Sequence, residues 1–137
     1  MKQIYFAGAI RGSRVDAGLY ARLIAHMKEK HIVLTEHIGS PSLIPTTEQD
    51  MTDRQIYEQD IAWLTASDIV IAECTSPSLG VGYEMAYAEK LGKPTHIFFD
   101  KTRGYLSAML SGDEFFHVHY YETEDELFSL VDAALED

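Results

Sequence analysis

Short apolar runs alternate with helix-period segments along almost the whole chain, and few architectures accept that order. Residues 4–7 form an apolar run that stops at Gly8, and residues 16–30 then carry helical spacing through Leu19, Leu23, Ile24 and Met27. Residues 32–35 read as a second strand, 52–66 as a helix, 68–72 as a third strand and 82–91 as a helix. Gly92-Lys-Pro is a helix stop, 95–99 gives a fourth strand and 106–110 a short helix, before a strand at 116–120 and a helix at 122–135. Residues 39–47 hold two prolines and no periodicity, so they read as a loop. Repeated strand-helix order joins parallel strands by crossovers of one hand, which places helices on both faces of the sheet. No internal repeat, linker or low-complexity tract interrupts the series. The expectation is one α/β domain, residues 1–137, built as a doubly wound sheet of five parallel strands.

Charge and composition narrow the function classes. A net charge of −11 disfavours a polymeric nucleic acid as partner. It leaves room for a single nucleotide, because a few local cations can hold one phosphate. No basic-apolar-cleavage pattern opens the chain, and no apolar run is long enough to span a bilayer. Cys74 is the single cysteine, so an internal disulfide is impossible and a buried thiol at a strand end is the simplest reading. A cytoplasmic location and no membrane partner follow as expectations. The histidines show no metal spacing with cysteines or carboxylates, so neither a metal nor a cofactor is expected.

Two strand-end loops carry the chemistry. Ser76-Pro-Ser-Leu-Gly-Val-Gly-Tyr-Glu84 follows the third strand and leads into a helix. Open α/β sheets bind ligands where strands end. Glu84 is expected in the first turn of that helix, with Ser78 beside it and Gly80 allowing close approach. The first loop, Gly8-Ala-Ile-Arg-Gly-Ser-Arg14, can turn backbone N–H groups toward an anion, and Arg11 or Arg14 can add charge-assisted bonds. It lacks the dinucleotide spacing and the Walker Lys-Ser/Thr, so a plain strand-helix turn with solvated arginines stands beside that reading. Asp60 shares a helix face with Ile56, Trp63 and Leu64, which should lie on the sheet. A carboxylate there is either a hydrogen-bonded structural group or an acid-base tuned by a neighbour, for which Glu84 is the natural candidate. Paired carboxylates suit cleavage of a glycosidic bond. Tyr5, on the first strand, reads as core or as a site residue. His37 follows the second strand and can line the same end. A serine-hydrolase elbow is absent, as is a strand-end aspartate of the receiver type.

Taken together, Tyr5-Phe-Ala-Gly-Ala-Ile-Arg-Gly12, Leu34-Thr-Glu-His37, Asp60-Ile-Ala-Trp-Leu64, Pro77-Ser-Leu-Gly-Val-Gly-Tyr-Glu84 and Leu106-Ser-Ala-Met109 resemble the 2′-deoxynucleoside 5′-phosphate N-hydrolases, relatives of the nucleoside 2-deoxyribosyltransferases. The resemblance runs over nearly the whole chain and implies a flavodoxin-like fold. It also implies that Glu84 is the nucleophile at the anomeric carbon, that Asp60 handles the proton at the leaving base and that Tyr5 orients Glu84. Gly8, Ala9, Ile10, Arg11, Gly12, His37, Ser78 and Gly80 would line the substrate, the first loop and Ser78 around its 5′-phosphate. Ser107 and Met109 would reach the neighbouring site of a homodimer. The transferases carry an acidic residue at the place of Ser78; a serine can donate to a phosphate that a carboxylate would repel. The implied reaction is hydrolysis of a 2′-deoxynucleoside 5′-monophosphate to free base and deoxyribose 5-phosphate. Base exchange by a deoxyribosyltransferase, hydrolysis of a ribonucleotide or modified pyrimidine nucleotide, and a non-catalytic nucleotide-binding domain are the rival readings. Ala9 and Cys74 depart from the family pattern, which has serine and valine there.

Overall fold

The computed structural model describes residues 1–9, 16–35 and 51–136. Within them five strands form one parallel sheet: β1 (Gln3–Ala7), β2 (Ile32–Val33), β3 (Ile69–Glu73), β4 (Thr95–Asp100) and β5 (His117–Tyr121). The spatial order is β2-β1-β3-β4-β5, the flavodoxin-like winding whose direction across the sheet switches between β1 and β3 while every strand stays parallel. The helices are α1 (Ala17–Lys28), α2 (Asp53–Ala66), α3 (Leu79–Leu91), α4 (Ala108–Ser111) and α5 (Glu124–Glu136).

Alternation along the strands splits the core in two. Ile4 and Phe6 of β1 join Ile69, Ile71 and Phe98 beneath α1 and α5. Tyr5 and Ala7 join Val70, Ala72 and Ile97 beneath α2 and α3. All five residues of β3 are buried, as a central strand covered on both faces requires. Each fully buried large side chain contributes roughly 1.5–3 kcal/mol, so both layers are needed.

Local chemistry sets the element ends. Thr52 and Gln55 close a reciprocal capping box at the start of α2. Gly92 ends α3 in the left-handed region at φ 71°, where a Cβ is disfavoured. β2 is shorter than the expected strand. Leu34 still donates to Ile4, but Thr35 turns its hydroxyl onto the Phe6 backbone, donating to O at 2.7 Å and accepting from N at 2.9 Å.

The largest shift against the sequence reading is at α3. The glycine-rich stretch expected as loop is helix from Leu79 onward, because the Ser78 hydroxyl accepts from the Val81 N–H at 3.2 Å and caps it. Glu84 therefore stands in the second turn, not the first.

Candidate active site

Tyr5 is where the core and the strand-end chemistry meet. Its ring is 1% exposed in the α2/α3 layer. Its hydroxyl emerges beside α3 and donates to Oε2 of Glu84. The strand fixes the ring, the ring fixes the hydroxyl, and the hydroxyl fixes one oxygen of a half-buried carboxylate. The donor thus holds that oxygen in a single direction.

Asp60 lies on α2, which packs next to α3 on the same face. The two helices are linked by Tyr57 and Tyr83, whose hydroxyls stand 3.5 Å apart and whose rings meet edge to face at 6.2 Å. Of the Ile56-Asp60-Trp63-Leu64 face, Leu64 is fully buried in the layer and Trp63 packs against it, while Ile56 and Asp60 are half-buried.

Gly8 closes β1 for a packing reason. A Cβ there would come within 2.8 Å of the Tyr20 ring and 3.2 Å of Phe6. The Tyr20 hydroxyl accepts from the Ala9 N–H at 3.1 Å, so the entry to the first loop is tied to α1. Ile10, Arg11, Gly12, Arg14 and His37 lie outside the described residues.

Ser78 caps α3 through its oxygen, and its O–H remains a donor at a helix N-terminus, where an anion is favoured. Gly80 is exposed, and a Cβ there would meet nothing nearer than Ser78 Oγ at 3.8 Å. Ser107 caps α4 and accepts from the Met109 N–H at 3.3 Å. Met109 is 82% exposed.

A cleft of about 810 Å³ opens between α3 and α4, lined among others by Ser78, Leu79, Gly82, Ser107, Met109 and Leu110. Tyr5, Asp60 and Glu84 do not line it. The geometry of α3 explains the separation. Leu79, Gly82, Ala86 and Glu89 recur at three- and four-residue spacing along one flank, and Glu84 projects from the opposite one. Ser107 and Met109 thus stand at a cleft that their own Glu84 does not enter.

Several polar groups at this end of the sheet were not singled out from sequence. Glu73, the buried last residue of β3, accepts from the Thr75 N–H at 3.0 Å, from the Thr75 hydroxyl at 2.6 Å and from the Tyr121 hydroxyl. Burial holds its carboxyl above the ordinary range despite those donors. Burial, then Glu73, then Glu84, pushes the Cys74 thiol up, which makes it unreactive. Asp16 accepts from Ser76 and Arg103. Its partners lie far away in sequence, where no local pattern reads them. Among the described residues no group of three or more His, Cys, Asp or Glu is arranged to hold a metal, and no helix is long and apolar enough to cross a membrane.

Residues 4–134 match the profile of the nucleoside 2-deoxyribosyltransferase family. The chain is 47% identical over 111 residues to a 5-hydroxymethyl-dUMP N-hydrolase of Rattus norvegicus, covering 80% of this chain and 68% of the rat protein. It is 41% identical over 138 residues to the enzyme of the same name from Homo sapiens, covering 97% of this chain and 79% of the human one. In fold it is similar to the CMP N-glycosidase of Clostridium botulinum, with a TM-score of 0.69 at 20% identity, over 97% of this chain and 99% of that one.

Proposed function

The chain belongs to the nucleoside 2-deoxyribosyltransferase family, and from that premise we propose that it hydrolyses the N-glycosidic bond of a 2′-deoxynucleoside 5′-monophosphate. The observation that carries the reading is the Glu84 carboxylate held by the Tyr5 hydroxyl at the strand end, in a chain 47% identical to a nucleotide N-hydrolase. Glu84 attacks the anomeric carbon. A carbon–oxygen bond forms, the carbon–nitrogen bond breaks, and the base leaves with a proton supplied on the Asp60 side. Water then adds to the same carbon, passes a proton back toward Asp60 and frees Glu84. The sugar leaves as 2-deoxyribose 5-phosphate. Tyr5 keeps the carboxylate in one orientation, so less of its freedom is lost in reaching the transition state. This is retaining two-carboxylate chemistry applied to an N-glycoside.

Ser78 favours a nucleotide over a nucleoside. A hydroxyl at the N-terminus of α3 can donate to a phosphate, and the helix dipole adds to that attraction. Residues 10–12 and His37 complete the proposed contacts. The rodent and human relatives point to 5-hydroxymethyl-dUMP as the first substrate to assay. The lone, buried Cys74 suits a reducing compartment such as the cytoplasm. Ser107 and Met109 are read as contributions to a neighbouring subunit's site, in line with the composite sites the family resemblance implies; they line, with Ser78, the cleft on the flank of α3 that faces away from Glu84.

The deciding experiment is incubation with deoxynucleoside monophosphates and the matching nucleosides, reading free base and free sugar phosphate. The expected result is base release from the nucleotide and little from the nucleoside. Accumulation of an exchanged nucleoside in the presence of a second base would instead assign a transferase. Glu84→Gln is expected to lose several orders of magnitude in kcat with its fold intact, because an amide cannot form the covalent intermediate. Retention of more than about a tenth of the activity would remove Glu84 from the nucleophile's role. Ser78→Asp is expected to lower kcat/KM for the nucleotide by about tenfold or more, with a smaller effect on the nucleoside.

A further inference from the structure

Arg103 closes the short 3-10 turn after β4 and lies four residues before Ser107. Its guanidinium crosses the strand ends to α1. Nη1 donates to Oδ1 of Asp16 at 2.7 Å, and Nη2 reaches Ser76 Oγ at 3.4 Å. The Ser76 hydroxyl donates to the other oxygen of Asp16 at 2.6 Å. Both carboxylate oxygens are therefore engaged, and the Asp16 side chain is only 7% exposed.

Asp16 also departs from its local role. It is the N-cap of α1, yet its side chain makes no cap bond to that helix. Aspartate at this position ordinarily accepts from the first free N–H groups. Here the carboxylate is committed elsewhere, to one residue 87 positions away and another 60 positions away.

Two corners of this triangle border segments of this subunit's proposed site, and the third borders the segment assigned to its neighbour's. Asp16 ends the first loop, which follows Ala9. Ser76 precedes Ser78 by two residues in the turn before α3. Arg103 begins the segment that leads to Ser107 and Met109. A second tie lies alongside it. The Asp100 N–H donates to Thr75 Oγ1 at 2.9 Å, and Thr75 in turn holds Glu73. The arginine also neutralises a buried carboxylate at the end of the sheet where an anionic ligand is proposed to bind.

Resting on the functional reading above, we propose that Arg103 is a positioning residue for the phosphate side of the site. It clamps Asp16 and Ser76, and so fixes the start of α1 against the turn before α3, without itself touching the reacting atoms. Its loss leaves the Asp16 charge uncompensated and the start of α1 free to shift from the turn before α3, and both effects weaken an anion more than a neutral ligand.

The test compares Arg103→Met, which removes charge and fork, with Arg103→Lys, which restores the charge alone. Circular dichroism and a thermal midpoint establish that each variant is folded; if Arg103→Met is not, Arg103→Gln replaces it. Arg103→Met is expected to raise KM for the deoxynucleoside monophosphate, and Kd for 2-deoxyribose 5-phosphate by titration calorimetry, by about tenfold or more. kcat on the nucleotide and kcat/KM on the nucleoside are expected to stay within about twofold. Arg103→Lys recovers part of the loss, and Asp16→Asn combined with Arg103→Met is no worse than Arg103→Met alone, because both act through one contact. Equal losses on nucleotide and nucleoside, or unchanged KM and Kd, overturn the proposal. Wild-type protein that releases no base overturns the functional reading instead, and the sugar-phosphate titration still reads the role of Arg103. Wild-type protein that also binds no sugar phosphate ends both.

Discussion

Single positions show how tightly the proposed site is built into the packing. Gly8 faces the Tyr20 ring at a distance no Cβ tolerates, and the ring is itself pinned edge to face on Phe6 at 5.4 Å. Gly8→Ala is expected to destabilise the fold by about 1–3 kcal/mol, the usual effect of overpacking. Urea unfolding checks this; an unchanged midpoint would show that Tyr20 can swing aside. The sequence exposed Gly8 as the end of a strand but gave two reasons for a glycine there, a turn or an anion, and neither is the aromatic ring the structure reveals. Tyr5 was open between core and site because one residue does both jobs: its ring is in the core and its hydroxyl is on Glu84. Arg103 was invisible for a different reason. Its contact with Asp16 spans the chain, and no local pattern encodes a pair of that separation.

Elements were legible wherever periodicity and a stop signal agreed. The helix at 52–66, the Gly92 stop of α3 and the apolar runs of the strands are all local, and they matched to within a few residues. The start of α3 misread because two glycines and a proline look like loop. A single hydroxyl cap at Ser78 outweighs the glycines' weak helix preference. A property of the β4–β5 edge was missed altogether. His96 stacks on His117 at 4.7 Å and on His119 at 5.2 Å, and His119 also stacks on Phe98. His96 Nδ1 and His119 Nε2 are 2.9 Å apart, a bond that needs a lone pair on one ring. Burial, then the neighbouring His117, holds His119 below the ordinary histidine range. The unfolded chain therefore takes up a proton that the folded one refuses. The resulting stability is fully present above about pH 6.5 and is lost as pH falls through the depressed value, by at most about 1.4 kcal/mol per pH unit per proton. His31, depressed by burial and by the N-terminal charge, adds to the same slope. His119→Phe is expected to flatten the decline in thermal midpoint between about pH 7 and 5. An unaltered slope would place the titration elsewhere.

At the scale of the whole molecule, the cleft between α3 and α4 makes the case for assembly. Leu79, Tyr105 and Met109 are 97%, 99% and 82% exposed around it, an apolar display unusual for a surface left bare. In a closed two-fold dimer, Ser107→Ala on one subunit and Glu84→Ala on the other leave one site doubly damaged and one intact. Mixing the two variants is expected to restore activity toward about half that of wild type in the heterodimer. A fully active monomer by light scattering at assay concentration would contradict it. The double role of Tyr5 has a consequence for how such a protein can diversify. Its ring sits among Ala7, Val70 and Ala72, so any change that reshapes the proposed Tyr5–Glu84 pair also reshapes the centre of a folding layer. Gly80 and Met109 carry no such burden, since both are exposed to solvent. Drift toward new ligands is therefore channelled. On the proposed reading, the Tyr5–Glu84 pair is constrained by its dependence on the fold while more exposed positions around it can vary, so one scaffold can change what it binds without rebuilding its chemistry.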